Sequence, residues 1–181
     1  MAEEKNYSKK EREILNRSVD EVITVLKQEM KEQFGFWCTG RGVSMPYDIQ
    51  EIEVDFLCHQ KVTIEEAREL EIRATERFVE IINSHEAIRP YLRDYPWDHR
   101  RAAVMIAFRN EYGEGYPDGL RLVFQSKDEI CYFSPKKSPK EVGPSQREPY
   151  EEAKKIVNST PSCLKSIESK LEEKPVEKKK K

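Results

Sequence analysis

From Leu15 onward the apolar residues recur every three or four positions: Leu15, Val19, Val22, Leu26 and Met30, with Ile14, Ile23 and Phe34 beside them. That is the period of an amphipathic helix. Ser8 and Glu11 stand ahead of it with the spacing of a capping box, in which each side chain satisfies the other's free backbone N–H. The spacing predicts a helix over about residues 9–33, ended by Gly35. Then the period changes. Ile52, Val54, Phe56 and Cys58 alternate with Glu51, Glu53, Asp55 and Leu57. This is a strand with one wet face, and such strands are more often antiparallel than parallel.

Thr63 and Glu66 form a second capping box. Behind it Ala67, Leu70, Ala74, Phe78 and Ile81 make a helical stripe as far as about Asn83, with Glu69 and Arg73 placed to pair one turn apart. Ser84 opens a short helical segment, interrupted by Pro90 and stopped before Pro96. "AAVMIAFRNEY", "LRLVFQ" and "ICYFS" read as three further strands, the last two joined by the tight turn "SKDE". Pro135 and Pro139 end the sheet. Tyr150, Ala153, Ile156 and Val157 mark a closing helix. The order implies an α+β domain: a four-stranded, mainly antiparallel sheet with helices packed on one face.

One such domain spans 1–158. From Ser159 to Lys181 the chain is rich in Ser, Lys and Glu. Leu164, Ile167 and Leu171 line at most one short helix there. The segment reads as a disordered C-terminal tail that is dispensable for folding.

Composition narrows the function. Of 181 residues, 37% are hydrophobic and 36% charged, and the net charge is −2. A dedicated nucleic-acid binder needs a basic field, so no nucleic-acid partner is expected. No apolar run approaches the roughly 20 residues that span a bilayer. The start, "MAEEKNYSKKERE", lacks the apolar core of a signal peptide. These features place the protein in the cytoplasm, the alternative being an exported bacterial effector whose leader has been removed. The four cysteines, Cys38, Cys58, Cys131 and Cys163, contain no CxxC pair and are expected to be reduced.

Two stretches carry candidate chemistry. "FGFWCTGRGVSMPYDI" joins the first helix to the first strand. Its Thr39-Gly40-Arg41-Gly42 has glycines like a phosphate loop, but phosphate loops lead from a strand into a helix N-terminus, and here the order is inverted. The blander reading is a sharp turn, with aromatics covering the end of the core. The residues 35–47 are expected to form an irregular surface loop, exposing Trp37 and Arg41. The second stretch, "HEAIRPYLRDYPWDHRR", holds the candidate segment 89–99, with Arg89, Tyr91, Arg93, Tyr95, Trp97 and His99. Aromatics and arginines dominate binding hot spots because they bury large area and keep a polar handle. If both stretches enter the sheet at one end, Trp37 packs near Tyr95 or Trp97 and a groove results. Its arginines would then hold an anionic group through their planar forks.

No HExxH or paired CxxC points to a metal, and no cofactor motif is present. The expected function is therefore a non-catalytic module that binds another protein or a small anionic ligand. The oligomeric state is left open. The alternative is a cysteine-dependent hydrolase or transferase, with Cys38 as nucleophile and His59 or His99 as base.

"IEEARELEIRATERFVEIIN", "IRPYLRDYPW" and "PYEEAKKIV", with the strand entry "TGRGVSM", resemble an uncharacterised bacterial family met mainly in intracellular bacteria. The resemblance covers about residues 34–157. It lends no activity and no catalytic residue, since the family's members carry no assigned activity. Some members carry an export leader, and Arg41 and Ser44 interrupt what is often a longer glycine run. The acidic end, with Glu168, Glu172, Glu173 and Glu177, is similar to C-terminal secretion signals of bacterial effectors.

Overall fold

The computed structural model describes residues 7–136, 138, 142–164 and 167. Helix α1 runs over Lys9–Phe34, with the Ser8–Glu11 capping box formed. It ends where Gly35 takes φ 69°, a left-handed conformation that costs glycine little. There the N–H of Gly35 donates to Lys31 O and that of Phe36 to Met30 O, which satisfies the last carbonyls of the helix. Helix α2 covers Ile64–Ser84 behind its own capping box, and α3 covers Tyr150–Ser159. The predicted Glu69–Arg73 pair is present at 2.5 Å, though Glu69 is nearly buried.

The sheet has six strands, not four. They are β1 (Trp37–Ser44), β2 (Glu51–Cys58), β3 (Ala102–Phe108), β4 (Leu122–Ser126), β5 (Glu129–Phe133) and β6 (Gln146–Pro149). They lie side by side in chain order, and every pairing is antiparallel except β2–β3, which is parallel. The sheet is therefore mixed. The parallel pair follows from the connection: α2 lies between β2 and β3, and a crossover returns the chain to the same end of the sheet. The wet face of β2 has another cause than antiparallel pairing. Helices cover only one side.

That side is legible from burial. Ile52, Val54, Phe56 and Cys58 of β2 pair across to Ala102, Val104, Ile106 and Phe108 of β3, and all eight are buried. Val123, Ile130 and Tyr132 extend the layer, and Leu15, Leu26, Leu70 and Phe78 meet it from α1 and α2. Each such side chain contributes about 1.5–3 kcal/mol relative to an exposed one. Cys131, which alternates as a core residue in the sequence, points to the other face, and Ile130 and Tyr132 hold the core register. Glu71 is fully buried within the helix layer, where it accepts the Gln125 N–H at 3.1 Å. Burial raises its pKa well above the ordinary 4.5 and favours the neutral acid.

Two expectations about the ends of the domain change. β6 follows Pro135, so that proline does not end the sheet; Pro139 lies outside the described residues. The packed domain also continues past Ser159. Leu164 and Ile167 are buried in the core, and the Cys163 N–H donates to Glu69 at 2.8 Å. Truncation at Ser159 would thus remove core, not only tail. Leu171 and the acidic end lie outside the described residues. All four cysteines are free, and among the described residues no helix is long and apolar enough to cross a membrane.

Candidate functional site

The stretch expected to be an irregular loop is a strand. β1 pairs with β2 from Trp37 opposite Leu57 to Ser44 opposite Glu51, with one irregularity between Cys38 and Gly40. Glycines at 40 and 42 erase the side-chain alternation by which a strand is recognised, which is why the pattern gave no strand there. β1 is one edge of the sheet, β6 being the other, and among the described residues no strand pairs with its outer side. Such an edge presents a row of backbone N–H and C=O groups to whatever approaches.

Each glycine makes room for a carboxylate from β2. Gly40 stands opposite Asp55, and a Cβ built there would lie 2.4 Å from Asp55 Oδ2. Gly42 stands opposite Glu53, whose Oε2 would be 3.2 Å from such a Cβ. The two acids therefore lean over the edge strand on the uncovered face. Both are pushed above the usual carboxylate range, Asp55 by desolvation and Glu53 by desolvation and the neighbouring charges of Asp55 and Glu51. Asp55 Oδ1 is shut off from solvent without a hydrogen-bond partner among the described residues.

The other side of β1 faces α1. Arg41 crosses to an ion pair with Asp20. Beside it runs a groove of about 380 Å³, with Leu15 and Val19 along its floor and Val43 and Met45 along its edge. Nine large hydrophobic residues are exposed among those described, and Trp37, Val43, Met45 and Tyr47 are four of them. Their concentration in one strand and its continuation sets this surface apart. Trp37, opposite Leu57, lies on the uncovered sheet face, and Val43, opposite Ile52, on the α1 side; the other apolar residues of the uncovered face, Leu57, Met105, Leu122, Phe124 and Phe133, are only partly exposed.

The second stretch, 89–101, lies at the opposite end of the sheet. Trp37 is level with Leu57 and hence with Ala107, five residues along β3 from Ala102. At about 3.3 Å per residue this is ~17 Å, and residues 95–97 lie further back still. Trp37 therefore does not pack near Tyr95 or Trp97, and no groove joins them. The two stretches come together where β1 ends, and Ser44 lines a cleft with Asp94 and Pro96. Ile49 bridges to Leu92, its N–H donating to Tyr91 O at 2.8 Å, and Arg101 Nη1 donates to Gln50 O at 3.1 Å.

Most groups in 89–101 already have partners. Asn83, at the end of α2, donates to Trp97 O at 2.9 Å and accepts from the Trp97 N–H at 2.7 Å. The Asn83 carbonyl accepts from Arg89 Nη2 at 3.0 Å, and the Arg89 guanidinium also lies 5.1 Å from the Tyr95 ring centre. Sequence reading missed Asn83, because a polar residue at a helix end reads as an ordinary stop. Trp97 is buried at 2% exposure, whereas Tyr95 is exposed at 54%. Tyr91 is buried edge-on against Tyr7. Arg93 is exposed, and its N–H donates to Ile49 O at 3.0 Å. His99 stacks on Tyr150 with ring centres 4.0 Å apart. In place of the predicted helix the segment makes two 3-10 turns, Arg89–Tyr91 and His99–Arg101.

A cleft of about 510 Å³ does open here, between Gln50, Asp94, Asp98, Arg100, Arg101 and Lys127. Its arginines are neutralised in place: Arg100 pairs with Asp98 at 2.6 Å, and Arg101 pairs with Asp94. A small anion would have to displace these carboxylates.

Cys38 lies in β1, half-buried, with its thiol 3.5 Å from Gly40 O. Among the described residues no histidine bonds to it. His59 Nδ1 is 3.0 Å from Asn110 O, and His99 belongs to the far end of the sheet. No family model, curated protein or solved structure matches the chain significantly. The resemblance to a bacterial family therefore rests on its sequence blocks alone.

Proposed function

We propose that this protein is a non-catalytic interaction module that receives an extended segment of a protein partner along the outer edge of β1. One observation carries the reading: an eight-residue edge strand, unpaired on its outer side among the described residues, coincides with the densest run of exposed apolar side chains. Main-chain hydrogen bonds to the edge supply affinity, and flanking pockets supply selectivity. This reading retains Trp37 as an exposed residue of the strand, while Arg41, held by Asp20, lines the neighbouring groove. A protein partner is favoured over a small anionic ligand because Arg41, Arg89, Arg100 and Arg101 are engaged within the chain, which leaves Arg93 alone among these arginines without a side-chain partner among the described residues.

The test is a selection of displayed linear peptides on the intact protein, followed by amide hydrogen exchange. Selected peptides should slow exchange in residues 37–44 and lose most of their affinity for Val43→Lys, because a charge on an edge strand opposes pairing. Peptides that protect only residues 94–101, or bind Val43→Lys equally well, would overturn the reading.

A further inference from the structure

The two sides of β1 differ in chemistry, and a strand laid beside it would feel both in alternation. Successive side chains of a strand point to opposite faces. On one face, the added strand runs past Gly40 and Gly42, where nothing but hydrogen separates it from the carboxylates of Asp55 and Glu53. On the other face it runs along the groove floored by Leu15 and Val19 and edged by Val43 and Met45.

We propose that the segment captured by β1 alternates basic and apolar residues, its lysines or arginines reaching across Gly40 and Gly42 to Asp55 and Glu53 and its apolar residues entering the α1–β1 groove. This deepens the reading of β1 as a strand receptor and rests on it.

Charge complementarity is the argument for this occupant. Asp55 and Glu53 stand on alternate residues of one strand face, with Glu51 next in the row. No salt bridge within the chain engages any of the three among the described residues, although eleven Lys or Arg pairs are formed elsewhere among them. Some acids elsewhere are matched with bases, as in Arg68 with Glu148 at 2.7 Å and Arg77 with Glu29 at 2.6 Å. Others without a salt bridge among the described residues, such as Glu13, Glu65 and Glu152, are exposed on helices, whereas Glu51, Glu53 and Asp55 stand half-buried in one row beside the edge. The glycines explain how it is reached. Any larger residue at 40 would collide with the Asp55 carboxylate, and one at 42 would press on that of Glu53. A partner's cation approaching over β1 meets no intervening side chain at these two positions. Bringing it there relieves the repulsion between Glu53 and its neighbours and places a donor beside Asp55 Oδ2, the oxygen that faces Gly40.

The experiment uses synthetic peptides as long as β1 and matched in composition except for charge: one alternating valine with lysine, one alternating valine with glutamate, and one with valines and lysines in separate blocks. Binding is read by fluorescence anisotropy, and the site by amide exchange over 37–44, on wild type and on the Glu53→Gln/Asp55→Asn double variant, which keeps side-chain size. The alternating basic peptide should bind wild type about tenfold more tightly than the acidic one, a difference of about 1.4 kcal/mol. It should also outbind the block peptide and lose its preference in the double variant. If both alternating peptides protect β1 equally, or if the preference survives in the double variant, the charge inference falls and the edge reading stands. If neither peptide protects β1, the edge reading falls with it. Sedimentation of the free protein addresses the remaining occupant: a dimer abolished by Val43→Lys would show that a second copy fills the edge, and would overturn the proposal.

Discussion

The β1 edge and the 89–101 segment are composed alike, yet the fold treats them oppositely. Each holds a tryptophan, arginine and exposed aromatic surface. In 89–101, Trp97 is buried, with its Nε1 lacking a partner among the described residues, while Asn83 holds both of its backbone polar groups, and Arg100 and Arg101 are paired with carboxylates a few residues away. In β1, Trp37 is 54% exposed, the outer backbone row is unpaired among the described residues, and the neighbouring carboxylates have no cation. Even the acids shift in opposite directions. Hydrogen bonds from Arg100 hold Asp98 below the usual range, while desolvation holds Asp55 above it. Composition marks a stretch as able to bind. What remains unsatisfied after folding decides whether it does so within the chain or outside it.

The two tryptophans give the largest contrast. Trp97→Ala should cost about 3–5 kcal/mol of stability in urea denaturation, as expected for a buried aromatic. Trp37→Ala should stay within about 0.5 kcal/mol of wild type, as expected for an exposed residue, while weakening peptides selected on β1. Comparable costs for the two would erase the distinction between the regions.

Asn83→Ala comes next. It removes both side-chain bonds to the Trp97 backbone, and the loss should be about 1–3 kcal/mol, with amide exchange quickened in 95–101 and unchanged in 37–44. Equal loosening of both regions would mean that Asn83 steadies the whole domain and not this segment.

The smallest effects are electrostatic and differ in sign. The pKa of Asp55 is raised in the fold, so its neutral form favours folding. That contribution is complete below about pH 3.8 and is lost as the pH rises through the raised value. Asp55→Asn should therefore stabilise the protein at pH 7 and leave it unchanged well below pH 3.8. The pKa of Asp98 is lowered, so its contribution is present above about pH 3.8 and lost as the pH falls through the lowered value. Asp98→Asn should destabilise at pH 7 and converge on wild type in strong acid. Each change should be under about 1 kcal/mol, because both sites are partly screened by solvent. Thermal melts across the pH range would check this, and shifts of the same sign at neutral pH would contradict it.

Much of this architecture is local, and local features can be read from a sequence. The helices α1 and α2, both capping boxes, the Gly35 stop and the strands β2 to β5 follow from 3.6- and 2-residue periodicities and from side chains that bond to their own backbone. The unusual composition around Trp37 and Arg41 was likewise visible as an odd cluster of residue types. β1 itself was hidden, because glycine shows no face. β6 was hidden because four polar residues at a sheet margin carry no alternation. The parallel β2–β3 pair, the distance between Trp37 and Trp97, the partners of Arg41, Arg100 and Arg101, and the burial of Leu164 and Ile167 depend on residues far apart in the chain. Only packing decides them, since the spacing of residues along one segment says nothing of which other segment will lie against it.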